Sequence, residues 1–586
     1  MPSRFVSALV AAVASLLVIS ARADTRSPGG EITPKEIRQG YRDTVILAKP
    51  RAEFRASADA SEQREGRKLR RRWDRFDGLR SLEVASGESA DEAIARLRAS
   101  GRYEYVQRDY LVRAHATPND ASFSRQWSLA NDGNSNGIVD ADIGARAAWD
   151  IRTDASSVIV AVIDSGIRLN HPDLAANLWR NAREIPNNGI DDDRNGYVDD
   201  VYGIDAYRNN GNPEDDQGHG THVAGIVGAV GNNSEGITGV AWKVQIMPLK
   251  FLRSDGYGAT SDGIECIDYA IRHGAHIINA SWGDAGPVTT YDQAQRDAVV
   301  RARDAGIIFV AAAGNDGVNT DLLAHYPSSH RLENVLAVGM STNRDDLPVT
   351  SNYGSGSVEL FAPGVEIYST WYTAAEPYRL ASGTSMAAPH VAGALALLKA
   401  QFPADNYRQL INRLLRSVDR GPAFAGKVMT GGRLNLARAL ASTDNRPFND
   451  DFSERARVSG ENLSIRTVNT GATIETEPAI SGQAAGATLW WEWQPKTTSV
   501  VRVSTDGSSY DTVLGVFSGT ELSALTAVAG NDNETGKTTS RLEFTAQAGV
   551  TYQIVVGGKG SATGLTLLDI GAIPPNDNFA SARVIE

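Results

Sequence analysis

The 586-residue chain contains one cysteine, Cys266. A single thiol closes no intramolecular disulfide and builds no cysteine-rich zinc centre, so a disulfide-stapled scaffold is excluded. Long apolar runs are also scarce. The most concentrated, residues 5–19, is 15 residues long, whereas a bilayer-spanning helix takes about 20. No later segment approaches it, which excludes a polytopic membrane protein and predicts no membrane span. Basic charge is in deficit, with 58 Lys and Arg against 70 Asp and Glu and a net charge of −12. That balance argues against a nucleic-acid partner. With 41% hydrophobic and 22% charged residues, the composition is globular and excludes wholesale disorder. At roughly 100–200 residues per domain, the length suggests three or four units.

What is present has an order along the chain. Arg4, the apolar run and Ala21-Arg22-Ala23 form a short basic region, a hydrophobic core and a small-x-small cleavage site. Residues 1–23 therefore read as a secretory signal, and the mature protein as secreted. Residues 24–116 carry a net charge of about +4, concentrated between Arg64 and Arg80, and everything after them about −18. A basic leader on an acidic body suggests a segment that docks and then leaves; a solvated basic helix face is the other reading. Strand patterns at 44–47 and 103–112 and a helix at 90–99 predict a small α+β prosegment.

From about residue 145 to 440, short β-branched runs (158–163, 244–249, 275–280, 307–312, 335–338) alternate with helical stretches (261–272, 292–305, 386–401). Continuous apolar strands separated by helices predict an α/β fold, a parallel sheet flanked by helices on both faces. After residue 445, strands with turn signals at 488–493, 499–504, 513–517, 541–545 and 551–556 predict a C-terminal all-β sandwich. Trp490, Trp491 and Trp493 cluster in the first of these. A sandwich core is the commoner reading of such a cluster, and a surface that binds insoluble or cell-surface substrate is the other. Asn449-Asp450-Asp451-Phe452 with Ala456-Arg457-Val458 recurs 127 residues later as Asn576-Asp577-Asn578-Phe579 with Ala582-Arg583-Val584. Residues 576–586 thus begin a second repeat of a longer array or supply a terminal strand.

Three segments of the α/β region bear chemistry. Val160-Ala161-Val162-Ile163-Asp164-Ser165-Gly166 puts a carboxylate at the C-terminal end of a buried strand, where open α/β sheets bind ligands. Gly218-His219-Gly220-Thr221-His222-Val223-Ala224-Gly225 puts histidines at the start of a small-residue helix. Ser382-Gly383-Thr384-Ser385-Met386-Ala387-Ala388-Pro389-His390 puts a serine at the start of a long apolar helix. A serine hydroxyl needs a base to take its proton, and the base needs an orienting carboxylate. Separately these are a cap, a turn and a capping motif. Together and in this order they resemble the subtilisin-like serine peptidases, over about residues 120–440.

The resemblance implies a catalytic domain at 117–444 in which Asp164 orients, His219 is general base and acid, and Ser385 is the nucleophile. His222 is then a neighbour; a metal-ligand reading of His219 and His222 lacks a third ligand. Ala311-Ala312-Ala313-Gly314-Asn315-Asp316-Gly317 resembles the oxyanion motif, with Asn315 donating its amide together with the Ser385 backbone N–H. Ser281-Trp282-Gly283 resembles the substrate-binding strand, with Trp282 narrowing a subsite, and Gly314 and Asp316 border the specificity pocket. Asp316 either favours a basic P1 residue or merely solvates its loop. Met386 resembles an oxidation-sensitive methionine; Cys266, on a helix, reads as buried packing. The prosegment resembles an intramolecular inhibitor and chaperone released by self-cleavage near Ala116. The β region, residues 445–575, resembles a prepeptidase C-terminal domain, and a monomer acting on proteins or peptides is expected. A non-catalytic adhesin on a degenerate peptidase fold is the alternative, but no triad or oxyanion residue is missing. A lipase or esterase fails on chain order and lacks G-x-S-x-G.

The stretch between Asp164 and His219 is long and acidic. Asp191, Asp193 and Asn195 place oxygens at alternate positions, followed by the Gly196 turn, the Tyr197 backbone and Asp199 or Asp200. That spacing suits a hard cation, so structural Ca²⁺ is predicted; it differs from an EF-hand in lacking the twelfth-position glutamate. Five carboxylates within ten residues would repel one another without a counter-ion. Residues 131–142 and Asn531-Asp532-Asn533-Glu534 have a similar look.

Overall fold

The computed structural model describes Glu36 and residues 41–64, 68–111, 116–284, 291–480, 482–483 and 485–573. The signal, the stretch just before Ala116 and the second repeat copy lie outside the described residues. The chain divides into two compact units, Met1–Ala114 and His115–Glu586.

In the first unit, β1 (Tyr41–Pro50), β2 (Leu69–Trp73), β3 (Leu79–Glu83) and β4 (Tyr103–Tyr110) form an antiparallel sheet in the order β2-β3-β1-β4. Helix α1 (Ala58–Arg64) follows β1, and α2 (Ala90–Ala99) lies between β3 and β4. Ser89 and Glu92 make a capping box that starts α2 and satisfies two of its free N–H donors. Its apolar face, Ala93, Ile94 and Leu97, meets Ile46, Ala48, Leu82 and Val106 of the sheet in one buried cluster. Arg80 is fully buried beside Glu62, whose carboxylate also accepts from the Tyr103 hydroxyl at 2.8 Å.

The second unit opens on α3 (Ala145–Trp149) and then a nine-stranded sheet. Its strands are β5 (Asp154–Asp164), β6 (Ile204–Asp205), β7 (Lys243–Lys250), β8 (Ile277–Ala280), β9 (Ile308–Ala312), β10 (Val335–Ser341), β11 (Leu360–Pro363), β14 (Asp419–Arg420) and β15 (Gly432–Arg433). They run β14-β15-β11-β10-β9-β8-β5-β7-β6, all pairs parallel except β14 with β15. The intervening β12 (Ile367–Thr370) and β13 (Tyr378–Ala381) form a separate hairpin. Helices α4 (His219–Gly228), α5 (Thr260–Arg272), α6 (Gln293–Asp304), α7 (Thr384–Gln401), α8 (Tyr407–Arg416) and α9 (Leu436–Ala441) connect the strands. The strands are apolar on both faces because both are covered. Val160 and Val162 join the cluster that holds α4 and α7, whereas Ala161 and Ile163 join the one that holds Cys266, Tyr269 and Val299 of α5 and α6. Helix α7 is buried almost all round from Thr384 to Leu398, which explains its lack of a polar stripe. Cys266 is fully buried, and that burial pushes its thiol well above the ordinary range.

The last strands are β16 (Ala456–Val458), β17 (Asn462–Val468), β18 (Ala485–Trp493), β19 (Ser499–Ser504), β20 (Thr512–Ser518), β21 (Thr526–Asn531), β22 (Arg541–Ala546), β23 (Tyr552–Lys559) and β24 (Leu565–Ala572). They build two sheets, β16-β18-β23-β20-β21 and β17-β24-β19-β22. Trp490, Trp491 and Trp493 are at most 1% exposed. Phe452 stands edge-on to Trp490 at 5.0 Å, and Trp493 lies 6.0 Å from Tyr552. The cluster is therefore sandwich core, and the reading of it as a binding surface is corrected. The first repeat copy opens this sandwich: Asn449 exchanges hydrogen bonds with the Trp490 backbone, and β16 pairs parallel with Trp491–Trp493. The sandwich rests on the α/β body through Arg331 Nη1 to the Ser464 carbonyl (2.8 Å) and the Ser459 N–H to Ser355 Oγ (3.0 Å).

Candidate active site

The C-terminal end of β5 carries Asp164, and the N-terminal turn of α4 brings His219 to it. His219 Nδ1 lies 2.8 Å and 3.0 Å from the two carboxylate oxygens. Asp164 is fully buried, and its Oδ1 also accepts the Ser165 N–H at 2.7 Å. Because a carboxylate only accepts, the imidazole proton sits on Nδ1 and Nε2 is left to take one. Helix α4 reaches this close because Gly220 has no side chain: a Cβ there would lie 2.2 Å from the Gly166 carbonyl oxygen. Burial pushes the His219 imidazole down, but the Asp164 charge, with a smaller contribution from Asp215, outweighs it and holds the group above its ordinary value.

Asp215 was not foreseen. It accepts hydrogen bonds from Ser165 Oγ, from the N–H groups of Gln217, Gly218 and Thr221, and from Thr221 Oγ1. Ser165 Oγ in turn accepts the Gly220 N–H at 2.9 Å. One buried carboxylate thus ties the strand carrying Asp164 to the helix carrying His219. Its only trace in the sequence is the run Glu214-Asp215-Asp216, in which nothing marks the middle residue. His222 lies one turn on and fully buried, with Nε2 against the carbonyls of Ile367 (3.1 Å) and Arg379 (3.0 Å). Burial lowers its pKa to about 3. It is a neutral packing histidine, with Nε2 taken by the two carbonyls and Nδ1 buried without a hydrogen-bond partner.

Ser385 stands in the first turn of α7, where the helix N-terminus adds positive potential. Its Oγ donates to the Ser281 carbonyl at 2.9 Å, while Ser281 Oγ donates back to the Ser385 carbonyl at 2.8 Å. Asn279 holds Ser281 Oγ from behind at 2.9 Å. This reciprocal pair fixes the segment after β8 against the helix. Asn315 follows β9, and its Oδ1 accepts both the Thr384 N–H (2.9 Å) and Thr384 Oγ1 (3.1 Å). With the oxygen held on that side, Nδ2 points away, and among the described residues it has no hydrogen-bond partner. Thr384 Oγ1 also accepts the Gly314 N–H at 3.1 Å. Asn352 completes the loop by accepting from Asp316 N and Val318 N and donating to the Ala313 carbonyl. Thr384 and Asn352 were likewise missed; the first was hidden beside the more conspicuous Ser385. Of the residues expected to bind substrate, Ser281, Gly283 and Gly314 lie here, and Asp316 is exposed. Trp282 is half-buried, its ring edge-on to Phe251 at 4.9 Å. Met386 is buried.

The acidic loop makes a different selection from its own spacing. Among the described residues, the one group able to hold a metal is Glu184, Asp193 and Asp200, with ligand oxygens within 4.8 Å of one another. Asp191 accepts the N–H groups of Asn195 and Gly196, and Asp199 those of Asn188 and Gly189. Asn195 donates to Asp200 and caps Tyr197 N, while the Tyr197 hydroxyl reaches Glu265. Glu184, upstream of the acidic run, had no signal in the spacing. Its Oε2 is buried without a hydrogen-bond partner beside two further carboxylates, a donor set that fits a hard divalent cation. Carboxylates of the other two stretches have partners of their own: Asp132 pairs with Arg146 (2.6 Å), Asp142 accepts two backbone N–H groups, and Asp532 pairs with Lys559 (2.7 Å).

A parallel sheet flanked by helices, with a carboxylate, a histidine and a helix-borne serine in that chain order, defines a subtilisin-like body. Residues 155–445 match the subtilase family. The chain is 38% identical over 300 residues to subtilisin-like protease 1 of Plasmodium vivax, spanning 48% of this chain and 46% of the relative. It is 36% identical to thermitase of Thermoactinomyces vulgaris over 55% of this chain and 99% of that one. To the thermophilic serine proteinase of Bacillus sp. strain AK1 it is 36% identical over 61% and 77%. The chain belongs to the subtilase family. It spans just under half the length of the Plasmodium relatives. No helix among the described residues is long and apolar enough to cross a membrane.

Proposed function

We propose that the chain is a secreted serine endopeptidase, made as a precursor that frees itself of residues 24–116 and stabilised by calcium. The surroundings of Ser385 carry this reading. A base already oriented by a buried carboxylate, an amide turned outward by Thr384 and a serine hydroxyl at a helix N-terminus support it together. Substrate binding draws Ser385 Oγ from the Ser281 carbonyl toward His219. Oγ then attacks the scissile carbonyl carbon as its proton passes to His219 Nε2. Asp164 holds the resulting imidazolium, and Asn315 Nδ2 and the Ser385 N–H receive the negative oxygen. Collapse of the intermediate breaks the C–N bond, the amine leaves with the proton from His219, and water, activated the same way, releases the acid.

Glu184, Asp193 and Asp200 would hold the calcium, whose charge relieves their mutual repulsion and closes the loop before α4. The basic leader and acidic body support docking of the N-terminal segment onto its own enzyme as an inhibitor. The Ser385→Ala full-length chain tests the whole reading. It is expected to hydrolyse no casein and to retain its N-terminal segment; survival of both activities would overturn the assignment.

A further inference from the structure

Between the two segments that border Ser385 stands a side chain that the triad and oxyanion donors leave unexplained. His325 is half-buried, and its ring lies against both Gly283 and Gly314. A Cβ on Gly283 would be 2.0 Å from His325 Cε1 and 2.6 Å from Nε2; one on Gly314 would be 2.8 Å from Cδ2 and 2.9 Å from Nε2. The imidazole therefore bridges the gap between the segment after β8 and the turn before Asn315, with its Nε2 edge between the two glycines.

That position is firmly built. The His325 N–H donates to Ser329 Oγ at 2.9 Å, and its carbonyl accepts from Ser328 Oγ (2.7 Å) and Ser329 N (2.8 Å). The next residue is tied to the segment after β8 in both directions. Asp284 N donates to the Tyr326 carbonyl at 3.1 Å, and Tyr326 N to Asp284 Oδ2 at 3.0 Å. Arg331 fastens the far end of the loop to the carbonyls of Thr320 and Ser464. Among the described residues neither ring nitrogen of His325 has a hydrogen-bond partner, and Nδ1 is buried in that state. Burial pushes the imidazole below its ordinary pKa against the pull of Asp284 and Asp316, so the ring is neutral at pH 7.

A carbonyl carbon attacked by Ser385, with its oxygen at Asn315, has its own Cα one bond away. Ser281 bonds Ser385 and Asn315 bonds Thr384, so residues 281–283 and 313–316 border the nucleophile, and His325 stands between them. We propose that His325 forms the floor of the pocket that receives the side chain on that Cα and selects peptides whose acyl-side residue carries a short, hydrogen-bonding side chain (Ser, Thr or Asn). The ring takes the depth that Phe, Leu or Lys needs, and its uncommitted Nε2 edge supplies a polar partner that a short hydroxyl or amide can reach. The exposed Asp316 then does not suffice to favour Lys or Arg. This inference rests on the peptidase reading and names its substrate class.

The test is a set of peptides differing only at the acyl-side residue (Ala, Ser, Asn, Leu, Phe, Lys), cleaved by the mature wild type and by His325→Gly and His325→Asn variants checked by thermal melting. Wild type is expected to show kcat/KM for Ser and Asn at least tenfold above those for Leu, Phe and Lys. His325→Gly should raise the Phe-to-Ala ratio at least tenfold and lower the Asn-to-Ala ratio. His325→Asn, polar but smaller, should raise the first ratio while keeping the second, and it decides the matter if the glycine variant does not fold. Ser385-dependent cleavage that favours Phe, Leu or Lys, or a Phe-to-Ala ratio within threefold of wild type in the variants, overturns the role of His325 alone. Absence of any Ser385-dependent cleavage overturns the peptidase reading with it.

Discussion

Replacing Thr384 by valine removes one oxygen from the site and almost no volume. That oxygen makes two contacts: it donates to Asn315 Oδ1 at 3.1 Å and accepts the Gly314 N–H at 3.1 Å. Asn315 keeps its second anchor, the Thr384 N–H at 2.9 Å. Complete loss of such an oxyanion donor costs about 2.7–4 kcal/mol in kcat, a figure established on a subtilisin and carried over. With one of two anchors gone, about half of that is expected, or roughly a 10- to 30-fold fall in kcat. KM should change little, because the amide meets the oxygen fully only in the transition state. The stranded Gly314 N–H adds a loss of about 1–3 kcal/mol in stability. Steady-state hydrolysis of a chromogenic peptide and a thermal melt measure the two effects separately. The coupling is decisive: in an Asn315→Ala background, Thr384→Val should lower kcat less than twofold further. A single variant with kcat within twofold of wild type, or an equal loss in both backgrounds, would refute the positioning role.

Asp164→Asn should lower kcat by about 10⁴, the size of loss known when this carboxylate is removed from a serine peptidase of another fold; a loss below tenfold would contradict its orienting role. Because His219 must be neutral to accept a proton and its folded pKa is raised, the acidic limb of kcat/KM should have its midpoint above about 6.5. By the same shift, the stability His219 contributes is full below the unfolded value and is lost as pH rises through the folded one, which pH-dependent melts of Ser385→Ala would detect. Excess EGTA should lower the melting temperature of the wild type but not of Glu184→Gln, since an ion at about 100 times its Kd stabilises by about 2.7 kcal/mol; an unchanged melt in EGTA would remove calcium from the account. Trp490→Ala should destabilise the sandwich by about 3–5 kcal/mol in urea unfolding, as deletion of a fully buried indole does, whereas a surface tryptophan would change little.

Much of this architecture is legible in residue order because its signals are local. Period and composition locate β5, β7, β9 and α7 to within a few residues, since a strand covered on both faces must be continuously apolar and a helix buried all round must lack a polar stripe. The chain order of Asp164, His219 and Ser385 is equally local, each residue sitting in its own short motif. Charge, the single cysteine and the acidic loop likewise follow from counting. The partners of those residues do not. Asp215 matters because five donors from separate turns converge on it, and Glu184 because folding brings it within reach of Asp193 and Asp200. Thr384 matters because it faces Asn315, 69 positions away, and His325 because two glycines, in the segments after β8 and after β9, leave room for its ring. The tryptophans of β18 have one pattern for either face of a sheet, and only the packing of Phe452 and Tyr552 against them placed them inside. Identity and order of the reacting groups are properties of short segments and survive in one dimension. Their orientation, the carboxylates gathered for a cation and the floor of the pocket depend on distances between remote segments, and those exist only once the chain has folded.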